Sequence, residues 1–130
     1  MLVTLPFPDP ALFPNAKLRG GGWGKAMAPK AKAKEFAYFA TKQAVGAWRP
    51  PAGPIPLAIT FYPPDKRVRD LDGLLGAAKH AIDGIALALG IDDQRFRPIV
   101  LDVGEPQKAG RMVVQVGAIR TNTSDESNAL

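Results

Sequence analysis

Hydrophobic and polar positions alternate cleanly in one stretch of the chain. Ile55, Leu57, Ile59 and Phe61 fall at every second residue between prolines at 54 and 63, which predicts a strand over residues 54–63 with one buried face. The period then changes. Leu71, Leu74, Leu75, Ala78, Ile82, Ile85 and Leu89 recur mostly in steps of three and four, the strongest helix signal in the sequence. Gly90 suits the left-handed residue that closes such a helix, and Gly84 is a place where it can break earlier.

The remaining elements follow from the same reading. Residues 2–5 are a short apolar, β-branched run that Pro6 stops. Residues 6–24, with their prolines, Asn15 and the Gly20-Gly21-Gly22 cluster, read as loop. Pro29 can open a helix at its first turn, and residues 31–48 carry helix formers with Phe36, Phe39, Ala40 and Ala44 at helical spacing. Residues 98–103 and 111–116 read as two strands around a turn at 104–110. The predicted fold is α+β: a small mixed sheet with two main helices packed on one face. The 130 residues fit one domain over residues 1–120, followed by a polar tail at 121–130.

Composition narrows the chemistry. No cysteine is present, which excludes disulfides, thiolate metal sites and Cys nucleophiles. A single histidine, His80, excludes a multi-His zinc site. No apolar run is long enough to span a bilayer, and the N-terminus lacks the basic-then-apolar order of a signal peptide. The expected compartment is therefore the cytoplasm, with no membrane partner. Residues 1–64 hold eight basic residues against two acidic, whereas residues 65–130 hold nine against ten. A basic half beside an acid-containing half suits a polyanion binder that also holds a metal, and equally a soluble protein with a solvated lysine face.

The acids themselves fall in two pairs. Asp70 and Asp72 stand at the start of the second helix, and Asp92 and Asp93 follow its end. Two readings are open. An aspartate at a helix start commonly caps it, and an Asp-Asp after a helix commonly makes a turn. Alternatively, Mg²⁺ prefers oxygen ligands from one to three carboxylates, and it both activates water and relieves charge on a phosphodiester under attack. Lys66, Arg67 and Arg69, directly before the first pair, would let a polyanion approach. Lys25, Lys30, Lys32 and Lys34 would hold its flanking parts. Lys79 lies on the same helical face as Asp72, Gly76 and Asp83 and can reach a phosphate. A straight helix from 71 to 89 would hold the acidic pairs about 27 Å apart, so convergence needs a break or a chain that doubles back. The run Gly20 to Ala26 lacks the Walker spacing, with Arg19 and Ala26 where Gly and Ser or Thr are required, so no nucleotide cofactor is expected. Trp23 in that loop can stack on a base.

Residues 61–74, Phe-Tyr-Pro-Pro-Asp-Lys-Arg-Val-Arg-Asp-Leu-Asp-Gly-Leu, followed after one helix by Gly90-Ile91-Asp92-Asp93-Gln94, resemble the RusA-type Holliday junction resolvases. Leu5-Pro6-Phe7-Pro8 and residues 110–114 are similar to that family's opening and closing strands. The resemblance spans residues 2–117. It implies a Mg²⁺-dependent endonuclease (Mn²⁺ able to substitute) that cuts four-way DNA junctions as a homodimer, in a family found largely in phages and prophages. Carried over by position, Asp70, Asp72 and Asp93 would be the catalytic metal ligands, with Asp92 supporting. The family's Asn and Lys are replaced by Gly73 and Gly76, and Lys79 is one turn further on. A DNA- or junction-binding protein without catalysis is the alternative.

Overall fold

In the computed structural model, described over residues 1–13 and 22–117, six main elements share one core. They are β1 (Leu2–Leu5), α1 (Gly22–Val45), β2 (Ile55–Tyr62), α2 (Leu71–Leu89), β3 (Phe96–Val103) and β4 (Arg111–Val116), with single 3₁₀ turns at Pro10–Leu12 and Asp93–Arg95. Asn15, Gly20, Gly21 and the polar tail at 121–130 lie outside the described residues, as do the side chains of Trp23 and Lys25.

The strands form one sheet in the order β1-β4-β2-β3. β4 runs antiparallel to both β1 and β2, and β3 runs parallel to β2. A parallel neighbour needs a crossover, and α2 is that crossover. The alternation seen in β2 works as predicted: Ile55, Leu57, Ile59 and Phe61 are buried. Their register partners Met112, Val114 and Val116 on β4 face the same way, as do Val3 and Leu5 on β1. α2 lays Leu74, Ala78, Ala81, Ile82 and Ile85 on this face, and α1 contributes Ala37. The α+β fold with both helices on one face is the predicted one. No described helix is long and apolar enough to cross a membrane.

Three local expectations are corrected. α2 does not break at Gly84; it runs on to Leu89 and closes at Gly90 with φ 69° and ψ 31°. α1 starts at Gly22, earlier than the predicted opening at Pro29, which lies inside the helix. Phe36 and Phe39, spaced like a core stripe, are instead 52% and 58% exposed, while Ala37 and Thr41 are buried. Thr41 meets its burial by donating its hydroxyl to the Ala37 carbonyl at 2.7 Å.

Candidate metal and nucleic-acid site

The β2–α2 connection is built around Asp65. Pro63 and Pro64 end the strand, and the Asp65 carboxylate then gathers its neighbours. It accepts from the Arg67 backbone N–H at 2.9 Å and pairs with the Arg69 and Arg67 guanidinium groups at 3.1 and 3.2 Å. The backbone hydrogen bond, then the two arginines, draw its pKa down to about 2. The three expected phosphate contacts thus separate in role. Arg69 is largely covered, lies 5.2 Å over the Phe7 ring and donates to the Arg67 carbonyl, so it fixes the loop. Lys66 and Arg67 remain exposed and face solvent. Arg111, opposite Tyr62 in the sheet, adds a cation at this end and stacks 4.8 Å over the Tyr62 ring.

Asp70 sits at the N-cap of α2 with extended backbone, yet its side chain makes no capping hydrogen bond. The capping reading therefore fails for Asp70. With Asp72 in the first turn, two exposed carboxylates stand at the positive end of the helix dipole.

At the other end, Gly90 turns the chain back along α2. Here Asp92 behaves as a turn residue: its carboxylate accepts from the Gln94 N–H at 2.9 Å and caps the 3₁₀ turn. Arg95 ties the same turn to the Gly53 and Pro51 carbonyls. Asp93 is placed against α2, where its carboxylate lies 3.9 Å from the Lys79 ammonium. Desolvation raises its pKa, the neighbouring Asp83 and Asp92 carboxylates raise it further, and Lys79 partly opposes them. Asp83 is the residue whose role sequence reasoning missed. Its helical spacing from Lys79 was the available signal, but only the fold-back at Gly90 brings Asp93 to it.

Asp70 and Asp72 do not join this group within one chain. Asp72 and Asp83 are eleven residues apart on a continuous helix, about 16 Å along its axis. Among the described residues, no three His, Cys, Asp or Glu side chains gather closely enough to hold an ion. Lys79, expected to work beside Asp72, is directed to Asp93 instead.

The lysines of α1 are distributed. Lys32 lines a cavity of about 250 Å³ among Leu5, Phe7, Leu12 and Phe36. Lys30 and Lys34 lie near His80 across the α1–α2 seam. Burial, then Lys30, with Lys79 and Lys34 adding to it, lowers the His80 pKa from 6.5 against an opposing pull from Asp83. The unfolded chain therefore binds the proton more tightly than the folded one. His80 contributes stability that is present above pH 6.5 and is lost as pH falls towards its folded pKa. Replacing it (His80→Gln) should flatten that part of a stability–pH curve measured by urea unfolding; an unaltered slope would contradict this placement.

No family model matches the chain. A protein from Xylella fastidiosa (strain Temecula1 / ATCC 700964), described as an uncharacterized protein, is 35% identical over 127 residues. The match covers 95% of this chain and 80% of that protein. The chain belongs to that protein's family. The match takes in almost all of the chain, so it extends over the β2–α2 connection, α2 and the Asp92-Asp93 turn together. The resemblance to RusA-type resolvases rests on the residues of this chain alone.

Proposed function

We propose that this protein is a structure-selective endonuclease of the RusA type that cuts four-way DNA junctions as a homodimer. One observation carries the reading: a single 19-residue helix holds an uncapped acidic pair beside cations at one end and a crowded carboxylate group near the other. Oxygen-only donors of this kind suit Mg²⁺, with Mn²⁺ able to substitute. In one chain they do not fit a single ion. In a two-fold pair with α2 against α2 of a second copy, Asp70 and Asp72 of one chain would meet Asp93 of the other. The flank of α2 supports such a pairing, because Leu71 is 51% and Leu75 36% exposed. On β3, Ile99 and Val103 share the inward face with Leu57 and Phe61 yet remain 39% and 44% exposed. A second copy would cover both.

A bound divalent cation supplies Lewis acidity and an activated water. The chain's own groups do the rest. Lys66 and Arg67 hold phosphates beside the Asp70–Asp72 end, and Arg69 keeps their loop in place through Asp65. Lys79 orients Asp93. Lys30 and Lys34 extend the cationic surface along the arms of the substrate, and Lys25 and Lys32 belong to the same basic helix.

The test is Asp70→Asn assayed on a synthetic four-way junction and a matched linear duplex, with and without Mg²⁺. Junction binding is expected to persist and Mg²⁺-dependent cutting to fall to background. Undiminished cutting would remove Asp70 from the mechanism. The second reading, a junction binder without catalysis, draws on Gly76 at the family's lysine position and on the engagement of Lys79 with Asp93. It predicts binding without product at any Mg²⁺ concentration.

A further inference from the structure

Phe39 is 58% exposed on α1 and Leu87 is 57% exposed on α2, unusual positions for large apolar side chains. They lie on one shallow recess, together with Ala31, Lys34, Glu35 and Tyr38. The Tyr38 and Phe39 rings lie edge to face, with centroids 5.1 Å apart. The Lys42 ammonium sits 5.6 Å from the Tyr38 centroid at the rim. Further along the same helix pair, Lys30, Lys34 and Lys79 lie near His80. Glu35, Asp83 and Asp93 are the acidic groups here, Asp93 paired with Lys79, and the four lysines Lys30, Lys34, Lys42 and Lys79 outnumber them.

An exposed aromatic ring flanked by lysines matches one ligand chemistry. Unpaired nucleobases stack on aromatic faces whatever their sequence, while lysines follow the phosphates. An apolar protein partner would gain nothing from the cationic rim, and duplex DNA offers no free base to the rings. The geometry points to the α1–α2 recess as a binding site for single-stranded nucleic acid: the exposed Phe39 ring stacks on an unpaired base, and Lys34 and Lys42 neutralise the adjoining phosphates. This site lies on the outer surface of the helix pair and does not depend on cutting; it holds whether or not the acidic residues cleave anything.

The experiment compares binding of a fluorescent thymidine oligomer of about twenty nucleotides with an abasic oligomer of equal length, by anisotropy at low salt. The wild-type chain should bind the base-bearing strand about tenfold more tightly than the abasic one. Phe39→Ala should abolish that difference while leaving abasic binding unchanged. Phe39→Leu, which keeps the apolar surface and loses the ring, should do the same. Lys42→Gln should weaken both strands alike. Circular dichroism should show α1 intact in each variant, since Phe39 and Lys42 are exposed. Equal wild-type affinity for the two strands, or a base preference that survives Phe39→Leu, would overturn the assignment. So would a change from dimer to monomer in sedimentation of free Phe39→Ala, which would make this face a contact between copies of the chain.

Discussion

Replacing Gly84 with alanine is expected to lower the melting temperature by roughly 10 °C. Gly84 lies in the middle of α2, where alanine would ordinarily be the better helix former by about 1 kcal/mol. Its surroundings reverse the sign. A Cβ there would collide with the Lys34 backbone carbonyl of α1 and come within 3.1 Å of the Ala37 side chain. Backbone cannot yield as a flexible side chain can, so the two helices must separate, at a cost of about 3 kcal/mol. That movement also opens the core around Ala37, Ala81 and Ile85, all buried. Gly73, on the same helix, provides the contrast. An added Cβ would meet only the Phe13 ring at 3.7 Å, an ordinary contact, so Gly73→Ala should be neutral or stabilise by up to about 1 kcal/mol. Thermal unfolding followed by far-UV circular dichroism compares the two. A Gly84→Ala melting point within about 2 °C of the parent would mean that the helices do not pack this closely.

Gly84 also explains why the sequence was legible for α2 and misleading for α1. α2 packs large residues on the sheet, so Leu74, Ala78, Ile82 and Ile85 of its stripe are buried, while Leu71 and Leu75, in the same stripe, are exposed on its flank. The seam between α1 and α2 is different: the backbones approach closely, and close approach selects small side chains. Ala37 and Thr41 therefore face inward, and the aromatic residues at 36 and 39 are displaced outward. A stripe read by size picks the wrong face. β3 misleads for another reason. It is an edge strand, and past the buried Phe96 its inward residues Ile99 and Val103 stay partly exposed, so its alternation carries little burial signal. In the candidate site, the basic lead-in and the Asp70–Asp72 pair are contiguous in sequence and were legible. Asp83 with Asp93 was not, because their contact depends on where Gly90 redirects the chain, which no local pattern encodes.

The acidic residues lead to the second prediction, which separates an active site shared between chains from one built within a chain. Asp72→Asn and Asp93→Asn should each reduce Mg²⁺-dependent junction cutting to background. Mixed after co-refolding, the two inactive proteins should regain activity. In a shared arrangement, a mixed dimer places both lesions in one site and leaves the other with an intact Asp72 from one chain and an intact Asp93 from the other. Random exchange makes half of the dimers mixed, each with one working site, so about a quarter of the wild-type activity returns. If Asp70, Asp72 and Asp93 acted within one chain, every site in every dimer would carry a lesion and nothing would return. The helix length makes the difference physical. About 16 Å of rigid α2 separates Asp72 from the level of Asp83 and Asp93, more than any carboxylate side chain spans, and no break at Gly84 shortens it. Activity of either single variant near the wild-type level would remove that carboxylate from the chemistry. Silence of the mixture, with both parents inactive and dimeric, would end the shared-site account.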